Sequence, residues 1–108
     1  MSVQIYDVRH TESSEYDLEG IFRYIALELC EPVIADNLLT TLDDAIGKLC
    51  EMPQRHPLVS ISEFRELGYR KMTVNEDYIV LYTVDEMRRM VYIERVTNTR
   101  CNWVRFLG

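Results

Sequence analysis

The stretch "YRKMTVNEDYIVLYTVDEMRRMVYIERV", residues 69–96, alternates β-prone apolar runs with two short polar turns. It predicts three strands, at residues 69–74, 78–84 and 90–96. The connections at 75–77 and 85–89 are too short for a crossover, so the strands should form an antiparallel meander. Any helix elsewhere in the chain must then pack against this sheet.

The N-terminal half predicts one further strand and two helices. The β-formers of residues 3–8, "VQIYDV", indicate the strand. A helix should begin at Ser14, because Asp17 stands at capping-box spacing from it, and should run to about residue 30 with apolar residues at three- and four-residue steps. A second helix should begin at Pro32 and end before Pro53. The short break between them predicts an antiparallel hairpin, and residues 53–67 should form a loop.

This order of elements predicts a single α+β domain over residues 1–108. It would consist of an N-terminal strand, a two-helix antiparallel hairpin and a three-stranded antiparallel meander, with the helices packed on one sheet face. The opposite face should stay partly open, and a functional surface is expected there.

Composition is that of an ordinary globular protein, with 47% hydrophobic and 28% charged residues. No apolar run approaches membrane-spanning length, and the N-terminus lacks the pattern of a secretory signal, so a cytoplasmic location is expected. Three widely spaced cysteines form no metal-ligand pattern and are expected to be free thiols. We therefore expect neither a metal nor another cofactor.

The formal net charge of −6 argues against broad nonspecific affinity for nucleic acid. The charge is unevenly distributed: residues 1–67 hold 13 acids and 5 bases, whereas residues 68–108 hold 5 acids and 7 bases. Any positive surface must therefore come mainly from the C-terminal part.

Two adjacent cations, Arg70 and Lys71, open the first strand of the meander. Strand alternation points them to opposite faces, so they cannot form one two-cation clamp. Arg70 could serve a functional site or pair with the acidic turn at Glu76 and Asp77. Lys71 could contact a target or simply keep a sheet edge soluble.

The C-terminal segment carries a loose cationic group, Arg95, Arg100 and Arg105, around Trp103. It could be a solvated tail or a binding surface, and Trp103 could cap the core or contact a partner. Tyr78 and Tyr82 share one strand face, which favours packing over chemistry.

Five segments, in this order and spacing, resemble the RelE/ParE superfamily of bacterial type II toxins. They are "YDLEGIFRYIALELCEP" (16–32), "AIGKLCEMPQRHP" (45–57), "GYRKMTV" (68–74), "YIVLYTV" (78–84) and "VYIERVTNTR" (91–100). The resemblance implies a plasmid-stabilising or growth-arresting toxin that is neutralised by a cognate antitoxin. It also implies one of two modes: RelE-like members cut mRNA in the ribosome without a metal, and ParE-like members poison DNA gyrase.

The resemblance assigns only part of a nuclease site. Arg70 matches the first strand cation and Arg100 the C-terminal arginine, and these would be catalytic only if the protein is RelE-like. Met72 and Ile79 stand where RelE-like members carry further cations, and the tail has neither a histidine nor a tyrosine. ParE-like gyrase inhibition is therefore the preferred hypothesis and mRNA cleavage the second. A nontoxic module that only binds an antitoxin is a third.

The residues expected to contact a target come from the strands and the tail. They are Lys71, Arg95, Trp103 and Arg105. His56, in the loop, lies where some family nucleases carry a histidine, but a single loop histidine is usually inert.

Overall fold

The structure is a computed structural model, and it describes residues 5–100. This part of the chain contains four strands and three α-helices. In chain order they are β1 (Asp7–His10), α1 (Glu12–Arg23), α2 (Pro32–Gly47), α3 (Ser62–Glu66), β2 (Arg70–Val74), β3 (Tyr78–Asp85) and β4 (Met90–Asn98).

The strands form one sheet in the order β1-β4-β3-β2. β2, β3 and β4 make the antiparallel meander that the sequence predicts, while β1 runs parallel to β4 and pairs Asp7 with Met90. The α1–α2 hairpin packs on one face of the sheet, and this confirms the α+β prediction. A bulge in the pairing of β3 with β4 leaves Glu94 as an extra residue between Ile93 and Arg95.

The first strand begins later than the sequence predicts. Within the described residues, only Asp7–His10 pair with β4, whereas Ile5 makes an isolated bridge to Glu51. The amide of Tyr6 donates to the carbonyl of Cys50 at 2.8 Å, and its ring is buried in the core. Contacts with the end of the helix hairpin thus occupy the segment just before β1.

The start of α1 also differs from the prediction. Thr11 is the N-cap: its hydroxyl accepts from the amide of Ser14 at 3.1 Å and donates to the carbonyl of Ile93 at 2.8 Å. Ser14 lies inside the helix, fully buried, and Asp17 bonds to β4 instead of closing a capping box. The capping-box prediction was wrong because docking of the helix start against β4 selects Thr11.

Between the two helices the chain widens into a π-helical turn, Tyr24–Glu28. Cys30 adopts a left-handed conformation with a φ of 55°, and Pro32 then starts α2. This reversal makes the hairpin antiparallel, as predicted. Cys30 is exposed and Cys50 half-buried, and both are free thiols.

The chain itself covers part of the sheet face that the sequence analysis expected to be open. Phe64 of α3 and Val59, just before this helix, pack on Ile79 and Leu81 to form a second, smaller core. The uncovered part of this face therefore lies toward the β3–β4 turn. Residues 53–67, predicted as a loop, contain the helix that makes this cover.

Candidate functional site

The guanidinium of Arg70 holds the loop that precedes α3. Its Nη1 donates to the carbonyl of His56 at 2.7 Å and to that of Gln54 at 3.1 Å. These main-chain acceptors, and not the acidic turn after β2, are its hydrogen-bond partners among the described residues. The Arg70 side chain therefore links β2 to the loop before α3.

Tyr82, which is fully buried, also binds this loop. Its hydroxyl donates to the carbonyl of Pro53 at 2.5 Å, and its ring meets the His56 ring edge-on with centroids 6.3 Å apart. Burial raises the pKa of Tyr82 to about 12, although Arg70 and Arg55 oppose that rise. Tyr82 and Tyr78 share the helix-facing side of β3, so the packing interpretation of this pair is confirmed.

His56, which lies between the contacts of Arg70 and Tyr82 with the loop, has a half-buried side chain. Its Nε2 is buried and has no hydrogen-bond partner within residues 5–100. Burial, and then the positive charge of Arg55, lower its pKa below 6.5. A neutral imidazole is thus favoured here.

Lys71 lies opposite Leu81, on the face that carries the second core. Arg70 lies opposite Tyr82, on the helix-facing side. The two cations are therefore on different faces, as strand alternation predicts. β2 is an edge strand, and the Lys71 amide bonds to the carbonyl of Pro57 at 3.0 Å, so the loop partly covers this edge.

Arg95 is held by Asp17 of α1. Its Nε and Nη2 donate to the two carboxylate oxygens at 2.7 Å each, and the carboxylate also accepts from the amide of Val96 at 3.0 Å. Asp17 and Arg95 are only 11% and 20% exposed. The hydrogen bond to Asp17 raises the pKa of Arg95 despite its burial. The capping-box pattern had assigned Asp17 to the helix start, so this partner was not predicted.

Arg100 is exposed, in the turn that follows β4, and its amide donates to Asn98 Oδ1 at 2.8 Å. Arg70 pairs with Tyr82, and Tyr82 pairs with Ile93, whereas Asn98 pairs with Tyr78, four residues earlier on β3. At about 3.3 Å per residue the two rows are roughly 13 Å apart. The structure does not bring the two catalytic candidates together. Trp103 and Arg105 lie outside the described residues.

The uncovered part of the second sheet face is a shallow, acidic cavity near the β3–β4 turn. Its volume is about 680 Å³. Its polar lining includes Asp85, Glu86 and Glu94 beside two tyrosines, Tyr69 and Tyr92. Glu94 accepts from the hydroxyl of Thr83 at 3.0 Å. Burial, and then the negative charge of Glu94, raise the pKa of Tyr69. The described lining of this cavity thus carries carboxylates, and Lys71, the cation placed on the same sheet face, is not part of that lining.

The strand pattern contained a signal for this acidic surface. Asp85 follows Thr83 on β3 at a spacing of two residues, and Glu94 follows Tyr92 on β4 at the same spacing. Polar and apolar residues alternate in both stretches. The bulge at Glu94 could not be foreseen, and it changes which side chains share a face.

Two further observations concern the described part of the chain. Between residues 5 and 100 no cluster of three His, Cys, Asp or Glu side chains could hold a metal ion. No helix in this range has the length and apolar character needed to cross a membrane.

Two solved structures share the fold. One, "Chromosomal ParDE TA system from P. aeruginosa", aligns over 88% of this chain and 97% of its own, with 15% identity and a TM-score of 0.70. The other, the toxin–antitoxin complex RelBE2 from Mycobacterium tuberculosis, aligns over 93% of this chain and 98% of its own, with 22% identity and a TM-score of 0.63. At these identities the likeness concerns the fold alone. None of the curated protein sequences matches this chain significantly.

Family membership follows from the sequence itself. Residues 8–103 match the family model described as the ParE toxin of the type II toxin–antitoxin system parDE. The match includes both helices of the hairpin and all strands of the meander. The chain therefore belongs to the ParE toxin family, within the RelE/ParE superfamily of type II toxins.

Proposed function

We propose that this toxin arrests growth in the cytoplasm by binding DNA gyrase, and that a cognate antitoxin neutralises it. Family membership supports a toxin, and two features of the fold favour binding over RNA cleavage. They are the arrangement of the cations and the charge of the open sheet face.

The acidic open face is the observation that carries this choice. An RNA strand laid along it would bring its phosphates close to Asp85, Glu86 and Glu94. Such like-charge contacts are unfavourable, and proteins that bind RNA gain affinity from the opposite arrangement. A protein target meets no such penalty, because its surface can present cations or amides to these carboxylates.

The cation geometry points the same way. Metal-independent cleavage needs a base for the 2′-hydroxyl, cations around one phosphate and an acid for the leaving oxygen. Arg70 directs its Nη1 to two main-chain carbonyls, and Arg100 lies beyond the far end of the strands. Arg70 would have to release both carbonyls before its Nη1 could join Arg100 on a phosphate.

RNA cleavage in the ribosome is the second candidate because Arg70 and Arg100 occupy positions that match RelE-like nucleases. In that mode Arg70 would leave the loop carbonyls and turn toward the substrate, with Arg100 stabilising the phosphate. His56, whose carbonyl accepts from Arg70 and whose Nε2 has no partner within residues 5–100, would be the candidate base.

Contacts to gyrase are assigned to Lys71 and to the tail cation Arg105. Lys71 is half-buried on an edge strand, so its ammonium can reach the surface. Arg95 is less suitable, because Asp17 already engages its Nε and Nη2. Trp103, outside the described residues, is the remaining proposed contact.

An antitoxin partner is supported by the two solved relatives, which come from a ParDE system and a toxin–antitoxin complex. An antitoxin would also explain how a cell tolerates the gene.

Induced expression with purified-enzyme assays tests the proposal. The toxin should slow growth and inhibit supercoiling by gyrase in vitro, while transcripts in the same culture keep intact ends. Co-expression of the antitoxin should restore growth. Codon-positioned mRNA ends that disappear in Arg100→Ala, with supercoiling unaffected, would instead establish the nuclease. Normal growth without antitoxin would leave only a partner-binding module.

A further inference from the structure

A small cavity lies between the C-terminal part of α2 and the end of β2. Its volume is about 470 Å³, within the range of sites that hold small ligands. It shares no lining residue with the acidic cavity at the β3–β4 turn. Its polar side chains come from α2 and the turn after it, from the loop before α3, and from the end of β2 with the following turn. They include Asp44, Lys48, Arg55, His56, Thr73 and Asn75.

The charge of this cavity differs from that of the helix hairpin beside it. Residues 12–47 hold nine acids and one base. The described cavity lining instead carries two cations, Lys48 and Arg55, together with a histidine and one carboxylate, Asp44. Its formal charge is therefore positive, and Coulomb attraction favours an anion as its ligand.

Neither cation is paired with a carboxylate within residues 5–100. The four ion pairs of this range use other arginines. An adjoining cavity places Asp43 and Glu51 near both cations, but neither acid forms an ion pair with them. The Nη1 of Arg55 donates instead to the carbonyls of Glu51 and Lys48, at 2.5 and 3.3 Å. Main-chain contacts thus hold the guanidinium beside the cavity and leave its charge without a counter-ion.

The edge of β2 adds a main-chain donor to the same cavity. β2 is the last strand of the sheet, and the amide of Lys71 points away from β3 to the carbonyl of Pro57 at 3.0 Å. The direction of the N–H groups repeats every second residue in an antiparallel strand, so the Thr73 amide also points away from β3. Among the described residues the loop bonds to this edge at Tyr69 and Lys71 and not at Thr73.

We propose that this cavity binds a phosphate group, either as inorganic phosphate or as part of a small phosphomonoester. Lys48 and Arg55 would supply the charge, and the Thr73 amide and the Asn75 side chain would supply hydrogen bonds. A phosphate group suits this set because it carries nearly two negative charges and three strong acceptor oxygens. This inference does not depend on gyrase being the target.

The two histidines of the chain give the test an internal reference. His56 lines the cavity, whereas His10 lies on β1, at the opposite edge of the sheet, with its Nδ1 3.1 Å from Ser14 Oγ. Inorganic phosphate and adenosine monophosphate are each titrated into the free, full-length toxin at constant pH and ionic strength. Both should shift the ring resonances of His56 to saturation and leave those of His10 unchanged. Adenosine alone should shift neither.

The two compounds distinguish the source of the phosphate group. A dissociation constant for adenosine monophosphate at least about tenfold lower than that for inorganic phosphate would assign the site to a phosphomonoester. Equal constants would assign it to the free anion. Either result supports a phosphate site.

Substitution of Lys48 tests whether the cavity holds the anion. Lys48→Gln should raise the dissociation constant about tenfold, the effect of one lost charged contact, and Lys48→Arg should restore binding. Arg23→Gln is the matched control, because it removes an equal charge at the end of α1, outside the cavity lining. It should leave the constant unchanged. Circular dichroism of the three variants would establish that the helices are intact.

Three results would overturn the proposal. Shifts of His56 that chloride reproduces at the same ionic strength would show screening and not binding. An affinity that Lys48→Gln leaves unchanged would place the phosphate elsewhere on the protein. Shifts of His56 with a short single-stranded RNA, without a response to either phosphate compound, would assign the cations to RNA and favour the mRNA-cleavage candidate.

Discussion

Asp17 of α1 and Arg95 of β4 form a two-pronged ion pair, with both N–H···O contacts at 2.7 Å. The pair joins the first helix to the strand segment just beyond the bulge. The carboxylate also accepts from the Val96 amide, so one side chain satisfies three donors of β4.

Asp17→Asn should lower the free energy of unfolding by about 2–3 kcal/mol. The amide keeps the shape of the carboxylate but leaves a largely buried guanidinium without a counter-charge. Urea denaturation measures the loss. Glu19→Gln is the control, because Glu19 pairs with Arg23 while both are about two-thirds exposed, and such pairs contribute about 0.3–0.5 kcal/mol. Equal losses in the two variants would contradict the structural role of Asp17.

Arg70→Ala should cost about 1.5–3 kcal/mol of stability, because it removes charge-assisted hydrogen bonds to the carbonyls of Gln54 and His56. Lys71→Ala, the neighbouring cation on the edge strand, should cost less than about 0.5 kcal/mol. Thermal or urea unfolding compares the two. A fully stable Arg70→Ala protein that has lost RNA cleavage would instead show that Arg70 is catalytic.

His56 should make stability fall as the pH drops below about 6.5. Its folded-state pKa is lowered by burial and by Arg55, so below 6.5 the unfolded chain binds more protons than the folded one. The stability that neutral His56 contributes is complete above pH 6.5 and is lost as the pH falls toward its folded-state pKa. His56→Gln should flatten the stability profile between pH 7 and 5, measured by urea midpoints. An unchanged profile would mean that His56 titrates normally.

Tyr82→Phe should destabilise the fold by about 1–2 kcal/mol, because it leaves the carbonyl of Pro53 without its buried donor. The variant should also change the alkaline limb of the stability curve. The folded pKa of about 12 exceeds the ordinary value of 10, so this contribution is present below pH 10 and is lost as the pH rises toward 12. Tyr16→Phe, which is 77% exposed, should change neither property. Equal behaviour of the two variants would count against a stabilising hydrogen bond from Tyr82 to the carbonyl of Pro53.

Lys71→Ala and Arg105→Ala should each raise the toxin concentration needed for half-inhibition of gyrase by about tenfold, the effect of one lost charged contact. Arg23→Ala, at the exposed end of α1 and away from the acidic face, is the control and should leave inhibition unchanged. A supercoiling titration with purified toxin makes the comparison. If Arg23→Ala were as weak an inhibitor as the other two variants, only overall charge would matter.

Local patterns were enough to derive most of the architecture. The alternating runs of β2, β3 and β4 with their short turns required an antiparallel meander, and two amphipathic stripes divided at Pro32 required a helix hairpin. Both signals arise from neighbours in the chain, where side-chain period and turn length limit the geometry. The order of these segments also carried the family resemblance.

The roles of individual charged residues depended on partners far away in sequence. Nothing near Arg95 indicates Asp17, 78 residues earlier, and nothing near Arg70 indicates that two loop carbonyls would bind it. The bulge at Glu94 and the packing of Val59 and Phe64 over Ile79 likewise decided which part of the sheet stays open and acidic. Such contacts form only when the whole chain closes around its core, because a polar group that becomes buried must then bind whichever donor or acceptor the fold has brought near.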